Sequence, residues 1–98
     1  MANRYSVLNR RFDKLLLPNP IRYYRQEFSE LKIMPKWTVA ICPFHDDHHP
    51  SLNINLITGG FRCFPCGANG GDILAFQMQR YQMNFIRAVG FFGAWRHD

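Results

Sequence analysis

With 98 residues, 47% of them hydrophobic, the chain has the size of one domain, near the lower limit that a hydrophobic core sustains unaided, so a metal or comparable staple is expected. It lacks the run of roughly 18 apolar residues that a membrane helix needs, and the leucine run Leu15–Leu17 is too short for a secretory signal core, so a cytoplasmic location with no membrane partner is the expectation. The net charge of +5 favours polyanionic partners and is unevenly spread: residues 1–36 carry eight basic side chains against three acidic ones, whereas residues 37–98 carry four of each.

The first 36 residues read as a basic, helical segment packed on the rest. Pro18 and Pro20 interrupt it, and IRYYRQEFSELK then places Ile21, Tyr24, Phe28 and Leu31 at helical spacing, with Pro20 suited to the first helical position. At KWTVAIC the period changes to two, with Trp37, Val39 and Ile41 alternating with Lys36, Thr38 and Ala40. SLNINL repeats the alternation through Leu52, Ile54 and Leu56. Thr58-Gly59-Gly60 is turn chemistry, and Phe61-Arg62-Cys63 returns as the second arm of a hairpin, which gives three antiparallel strands. Helical spacing resumes after Asp72, a suitable N-cap, through Ile73, Phe76, Gln77, Arg80 and Tyr81. Asn84 can cap a second short helix over residues 85–89. The aromatic tail with Phe91, Phe92 and Trp95 is expected to fold onto the core, since so small a domain needs the buried area. The fold class is α+β: a small antiparallel β-sheet with flanking helices, in a single domain.

Between the strands lie two ligand pairs, Cys42-x₂-His45 and Cys63-x₂-Cys66, separated by 17 residues. Each pair spans a tight turn at a strand end, and the hairpin would bring them together around a tetrahedral ion, for which Zn²⁺ is the expected occupant. Four protein ligands leave no open position for water, so the metal is structural. Three cysteines cannot close an internal disulfide set, and Cys63 with Cys66 makes a poor redox pair because the next helix starts several residues later. His48 and His49 lack the spacing of His45 from Cys42 and read as loop residues. Asp46 and Asp47 could hold a hard cation such as Mg²⁺, but adjacent loop acids are more often solvated.

At these residues the sequence resembles the CHC2-type zinc ribbon at the N-terminus of bacterial and phage DNA primases. The resemblance rests on CPFH, on His49-Pro50-Ser51, on FRCFPCG, on GGDILAF from Gly70 and on NFIRAV from Asn84, and spans about residues 37–90. It implies a zinc ribbon over residues 37–98 with C-terminal helices. Cys42, His45, Cys63 and Cys66 would be its ligands, and its role would be to contact single-stranded template during primer synthesis. The catalytic domain that follows the ribbon in primases has no counterpart within these residues. The expectation is therefore a non-catalytic DNA-binding module working with a separate catalytic primase or replication protein, in a stand-alone form suited to a mobile genetic element. The rival reading is a regulatory or protein-interaction zinc ribbon that recruits replication or transcription proteins.

Strand alternation offers a candidate DNA surface. If Trp37, Val39, Ile41, Leu52, Ile54, Leu56 and Phe61 face the core, then Lys36, Thr38, Asn53, Asn55 and Arg62 form a cationic, hydrogen-bonding strip, with Phe44 and Phe64 as the nearest aromatic platforms. Arg10, Arg11, Lys14, Arg22 and Arg25 are a second candidate, able to neutralise phosphates without reading bases.

Overall fold

The computed structural model describes residues 10–97, so Arg4 lies outside the described part of the basic segment. A central four-stranded antiparallel sheet runs in the order β2 (Trp37–Ala40), β3 (Leu52–Asn55), β4 (Phe61–Cys63) and β5 (Asn69–Gly70). Helix α1 (Pro20–Glu27) precedes it, and α2 (Ile73–Tyr81) and α3 (Phe85–Phe92) follow. A separate two-stranded ribbon pairs β1 (Arg10–Phe12) with β6 (Trp95–His97), placing Arg10 opposite His97.

Local chemistry sets the helix ends. The Asn19 side chain accepts the Ile21 amide and Pro20 opens α1; Asp72 accepts the Ala75 amide at the start of α2, and Asn84 that of Arg87 at the start of α3. Helix α1 stops earlier than its periodicity suggests. Phe28 is already extended, yet Phe28 and Leu31 still pack against the core from the loop, so the spacing reported burial and not helix length. Helix α3 runs past Val89 to Phe92, where Gly93 caps it in the left-handed region.

The core centres on Phe76 of α2. The rings of Tyr23, Tyr24, Phe28, Phe44 and Phe61 surround it at centroid separations of 5.2 to 6.0 Å. The two tyrosines bury their rings and still satisfy their hydroxyls, Tyr23 donating to Gln77 Oε1 at 2.7 Å and Tyr24 to the Gly59 carbonyl at 2.6 Å. Both bonds tie α1 to the rest of the fold. Gly70 marks the tightest approach of sheet to helix: a Cβ there would lie 2.6 Å from the Ala75 methyl and 2.7 Å from the Phe61 ring. A smaller cluster of Leu74, Ala88, Val89 and Ala94 sits under the β1–β6 ribbon. Of the aromatic tail, Phe92 and Trp95 pack inward, but Phe91 remains 60% exposed, contrary to expectation.

The facing of β2 also corrects the sequence reading. Registration places Thr38 opposite Ile54 and Ala40 opposite Leu52, and these four are buried. Trp37, Val39 and Ile41 are the outward residues, each about half exposed. The inward Thr38 is tied to the segment before β2, its hydroxyl donating to the Lys32 carbonyl at 2.6 Å. Asn55 is buried for a different reason. Its Oδ1 accepts the amides of Ile57 and Thr58 and so builds the turn between β3 and β4.

Candidate metal centre and nucleic-acid interface

The ligand pairs meet where β2 and β4 end. Cys42 follows β2 and Cys63 closes β4, so the sheet itself sets the separation of the two turns. The donor atoms of Cys42, His45, Cys63 and Cys66 all lie within 4.8 Å of one another. The Cys42 and Cys66 sulfurs are 3.8 Å apart, as are the Cys63 sulfur and His45 Nδ1. Zn–S bonds of about 2.3 Å place two sulfurs of a tetrahedron about 3.8 Å apart, so the site already has the dimensions of a Cys₃His zinc centre. These four residues form the structural Zn²⁺ site.

The thiols of the centre differ in their surroundings. Burial pushes the Cys42 thiol up to about 12, aided by the neighbouring Cys63 and Cys66 sulfurs. Burial opposes ionisation of Cys63 too, but the Ser51 hydroxyl at 3.4 Å and the Cys66 amide outweigh it and hold this thiol below its ordinary value. Gly67, left-handed at φ 81°, donates its amide to the Cys63 carbonyl and closes the second turn.

Asp47, expected to be solvated, belongs to the centre. Its Oδ2 accepts the Cys42 amide and the Ser51 hydroxyl, both at 2.8 Å, while Oδ1 lies 3.5 Å from His45 Nε2. With Nδ1 turned to the sulfurs, the opposite ring nitrogen faces a carboxylate, the arrangement that fixes the tautomer of a metal-bound histidine. The Cys42 amide, then the Ser51 hydroxyl and His45, hold the Asp47 carboxyl below the usual carboxylate range. Asp46 differs: its side chain is 92% exposed and meets only His48, at 3.6 Å. The acidic pair is therefore divided between one buried and one solvated carboxylate. The signal for Asp47 was its place two residues after a ligand and four before Ser51, which sequence alone does not convert into contacts.

The outward sheet face is composed differently from the expected strip. Val39, Asn53, Arg62 and Asn69 lie in one row across all four strands. Lys36, Arg62 and Phe64 are exposed, the last at 71%, and the Arg62 guanidinium sits 5.1 Å over the Phe64 ring. Thr38 and Asn55 are buried, and Phe44 stacks on Phe61 inside the core, so these three are not on the open face. The basic N-terminal residues do not form one patch. Arg10 covers Trp95 at 4.4 Å and Lys14 pairs with Asp72 at 3.4 Å, while Arg22 and Arg25 line a groove on α1.

Comparison with known proteins fits this centre. Residues 21–95 match the CHC2 zinc finger family. The chain belongs to that family. It is 42% identical to the DNA primase of Campylobacter jejuni over 64 residues, which are 65% of this chain and 10% of that protein. The DNA primase of Helicobacter pylori (strain 26695) is 31% identical over 83 residues, 85% of this chain and 15% of that protein. The chain thus spans a small part of the length of these relatives. Among solved structures, the Aquifex aeolicus primase, comprising zinc-binding and RNA polymerase domains, aligns with a TM-score of 0.65 and 24% identity, covering 78% of this chain and 18% of that one. This likeness supports the fold: a small α+β zinc ribbon of the primase zinc-binding type. Among the described residues no helix is long and apolar enough to cross a membrane.

Proposed function

We propose that this CHC2 zinc finger is a zinc-stabilised module that contacts single-stranded DNA template during primer synthesis, in the cytoplasm, with the polymerising chemistry supplied by a separate catalytic primase subunit. The ribbon begins at residue 37, and the described part of the basic segment, residues 10–36, packs on it as part of one domain. The observation that carries the reading is the open sheet face, where Asn53, Arg62 and Phe64 offer an amide, a cation and an exposed ring near the metal centre, with Lys36 exposed just before β2. Single-strand binders combine these groups: the cations follow the phosphates while aromatic faces accept unstacked bases. Zinc holds the sheet and its turns in place and leaves the chemistry of nucleotide addition to other groups.

One observation favours a protein partner elsewhere on the molecule. Helix α3 exposes Ile86 at 57% and Phe91 at 60%, apolar surface of the kind that meets another polypeptide. A recruiting role through α3 is compatible with DNA on the sheet and is the alternative if DNA binding fails.

The test is fluorescence anisotropy of the zinc-loaded chain with labelled single-stranded and duplex DNA over a salt series. Tighter binding to the single strand that weakens as salt rises is expected. Absence of binding to either at low salt would remove the DNA reading and leave the recruiting one.

A further inference from the structure

The inverted facing of β2 leaves three large apolar side chains about half exposed on its outer side. Trp37, Val39 and Ile41 are 51%, 50% and 48% exposed and point to the same side as Asn53 and Arg62, while the inward positions of the strand hold only Thr38 and Ala40. A strand that solely supported the core would carry the opposite pattern. Resting on the DNA-binding reading above, we infer that this row is a base-stacking platform, with Trp37 its principal stacking residue, and that the single strand crosses the sheet diagonally from Trp37 to the Arg62–Phe64 pair.

Register defines the track. Val39, Asn53 and Arg62 are level across β2, β3 and β4; Trp37 lies two residues from this line in one direction and Phe64 two residues in the other. With a rise of about 3.3 Å per residue and strands about 4.8 Å apart, the two aromatic residues are roughly 16 Å apart along the diagonal. Val39 and Asn53 lie between them, giving a flat apolar surface with a side-chain amide. A cation stands at the Phe64 end, where the Arg62 guanidinium lies over the ring.

The distribution of charge favours nucleic acid over a protein strand. No carboxylate lies among the outward residues of β2, β3 and β4, whereas Glu27 and Glu30 line the groove beyond the free edge of β2, beside Val39 and Ile41. Those acids would repel phosphates and bound the site on that side, directing the backbone along the diagonal. Stacking on Trp37 accepts any base, because every base presents a π-face, so this contact supplies affinity with little sequence preference.

The test uses the full zinc-loaded chain and a labelled oligo(dT). Trp37→Ala is expected to weaken binding by roughly 5- to 150-fold, the range for loss of one stacked base. Trp37→Phe should recover most of that loss. Arg62→Ala should lower the salt slope by about one, and Trp37→Ala should leave it unchanged. Tryptophan emission should be quenched on binding in the wild type and not in Trp37→Phe, in which Trp95 alone reports. Circular dichroism and zinc content equal to wild type identify variants that remain folded. Normal oligo(dT) affinity in a folded Trp37→Ala variant, or equal quenching in Trp37→Phe, overturns the platform while leaving DNA binding in place. No binding by the wild-type chain overturns both.

Discussion

Substituting Asp47 by Asn tests whether the metal centre depends on a group that does not touch the metal. The change preserves shape and replaces one carboxylate oxygen with a donor. In the wild type, one oxygen accepts both the Cys42 amide and the Ser51 hydroxyl and the other faces His45 Nε2. An asparagine can keep its oxygen toward Cys42 and Ser51, which turns an NH₂ against the imidazole N–H, or the reverse, which sets NH₂ against the Cys42 amide. Either orientation opposes two donors and removes the charge that fixes the histidine tautomer. Loss of such a supporting contact lowers metal affinity by about 10- to 100-fold. The assay is competition for zinc against a chromophoric chelator, with circular dichroism in excess zinc to confirm that the fold is recovered. Asp46→Asn is the matched control, because Asp46 is solvated, and it should bind zinc like the wild type. Equal zinc affinity for Asp47→Asn and wild type would refute the reasoning, as would an equal loss in Asp46→Asn.

Two further outcomes follow from the same structure. Cys63→Ser, or removal of zinc by a strong chelator, should unfold most of the domain: structural zinc in small fingers contributes on the order of 10–16 kcal/mol, comparable with the whole stability of a domain this size. Full zinc content with unchanged melting in Cys63→Ser would contradict the ligand assignment. Phe76→Ala, at the centre of the aromatic cluster, should cost about 3–5 kcal/mol in urea denaturation of the zinc-loaded protein. A loss below about 1 kcal/mol would show that the surrounding rings close the cavity.

The metal ligands were legible because two pairs at knuckle spacing are a local pattern, and the hairpin that joins them has its own turn signals. The N-caps Asp72 and Asn84 were legible for the same reason. What required the structure was non-local. Alternation in WTVA specifies two faces without saying which is inward, and only the pairing of Thr38 with Ile54 and Ala40 with Leu52 decides it. The bias toward burying the larger set led to the wrong face. The β1–β6 ribbon is invisible in sequence, since RRF and WRH are three residues each and carry charged residues where an apolar alternation would be sought. Asn55 looked like an exposed strand residue because its turn-building role depends on where the chain reverses.

The ribbon of β1 and β6 has a mechanical consequence. Arg10 and His97 form its outermost pair, so the two ends of the described chain emerge side by side from one edge of the molecule. Tension applied between them would peel the ribbon one pair at a time, and the Asp13–Arg96 ion pair at 2.9 Å would be the next contact to part. The sheet and its zinc centre lie outside this line of force. They would stay folded while the ends separate, so the ribbon and not the sheet would take up the extension.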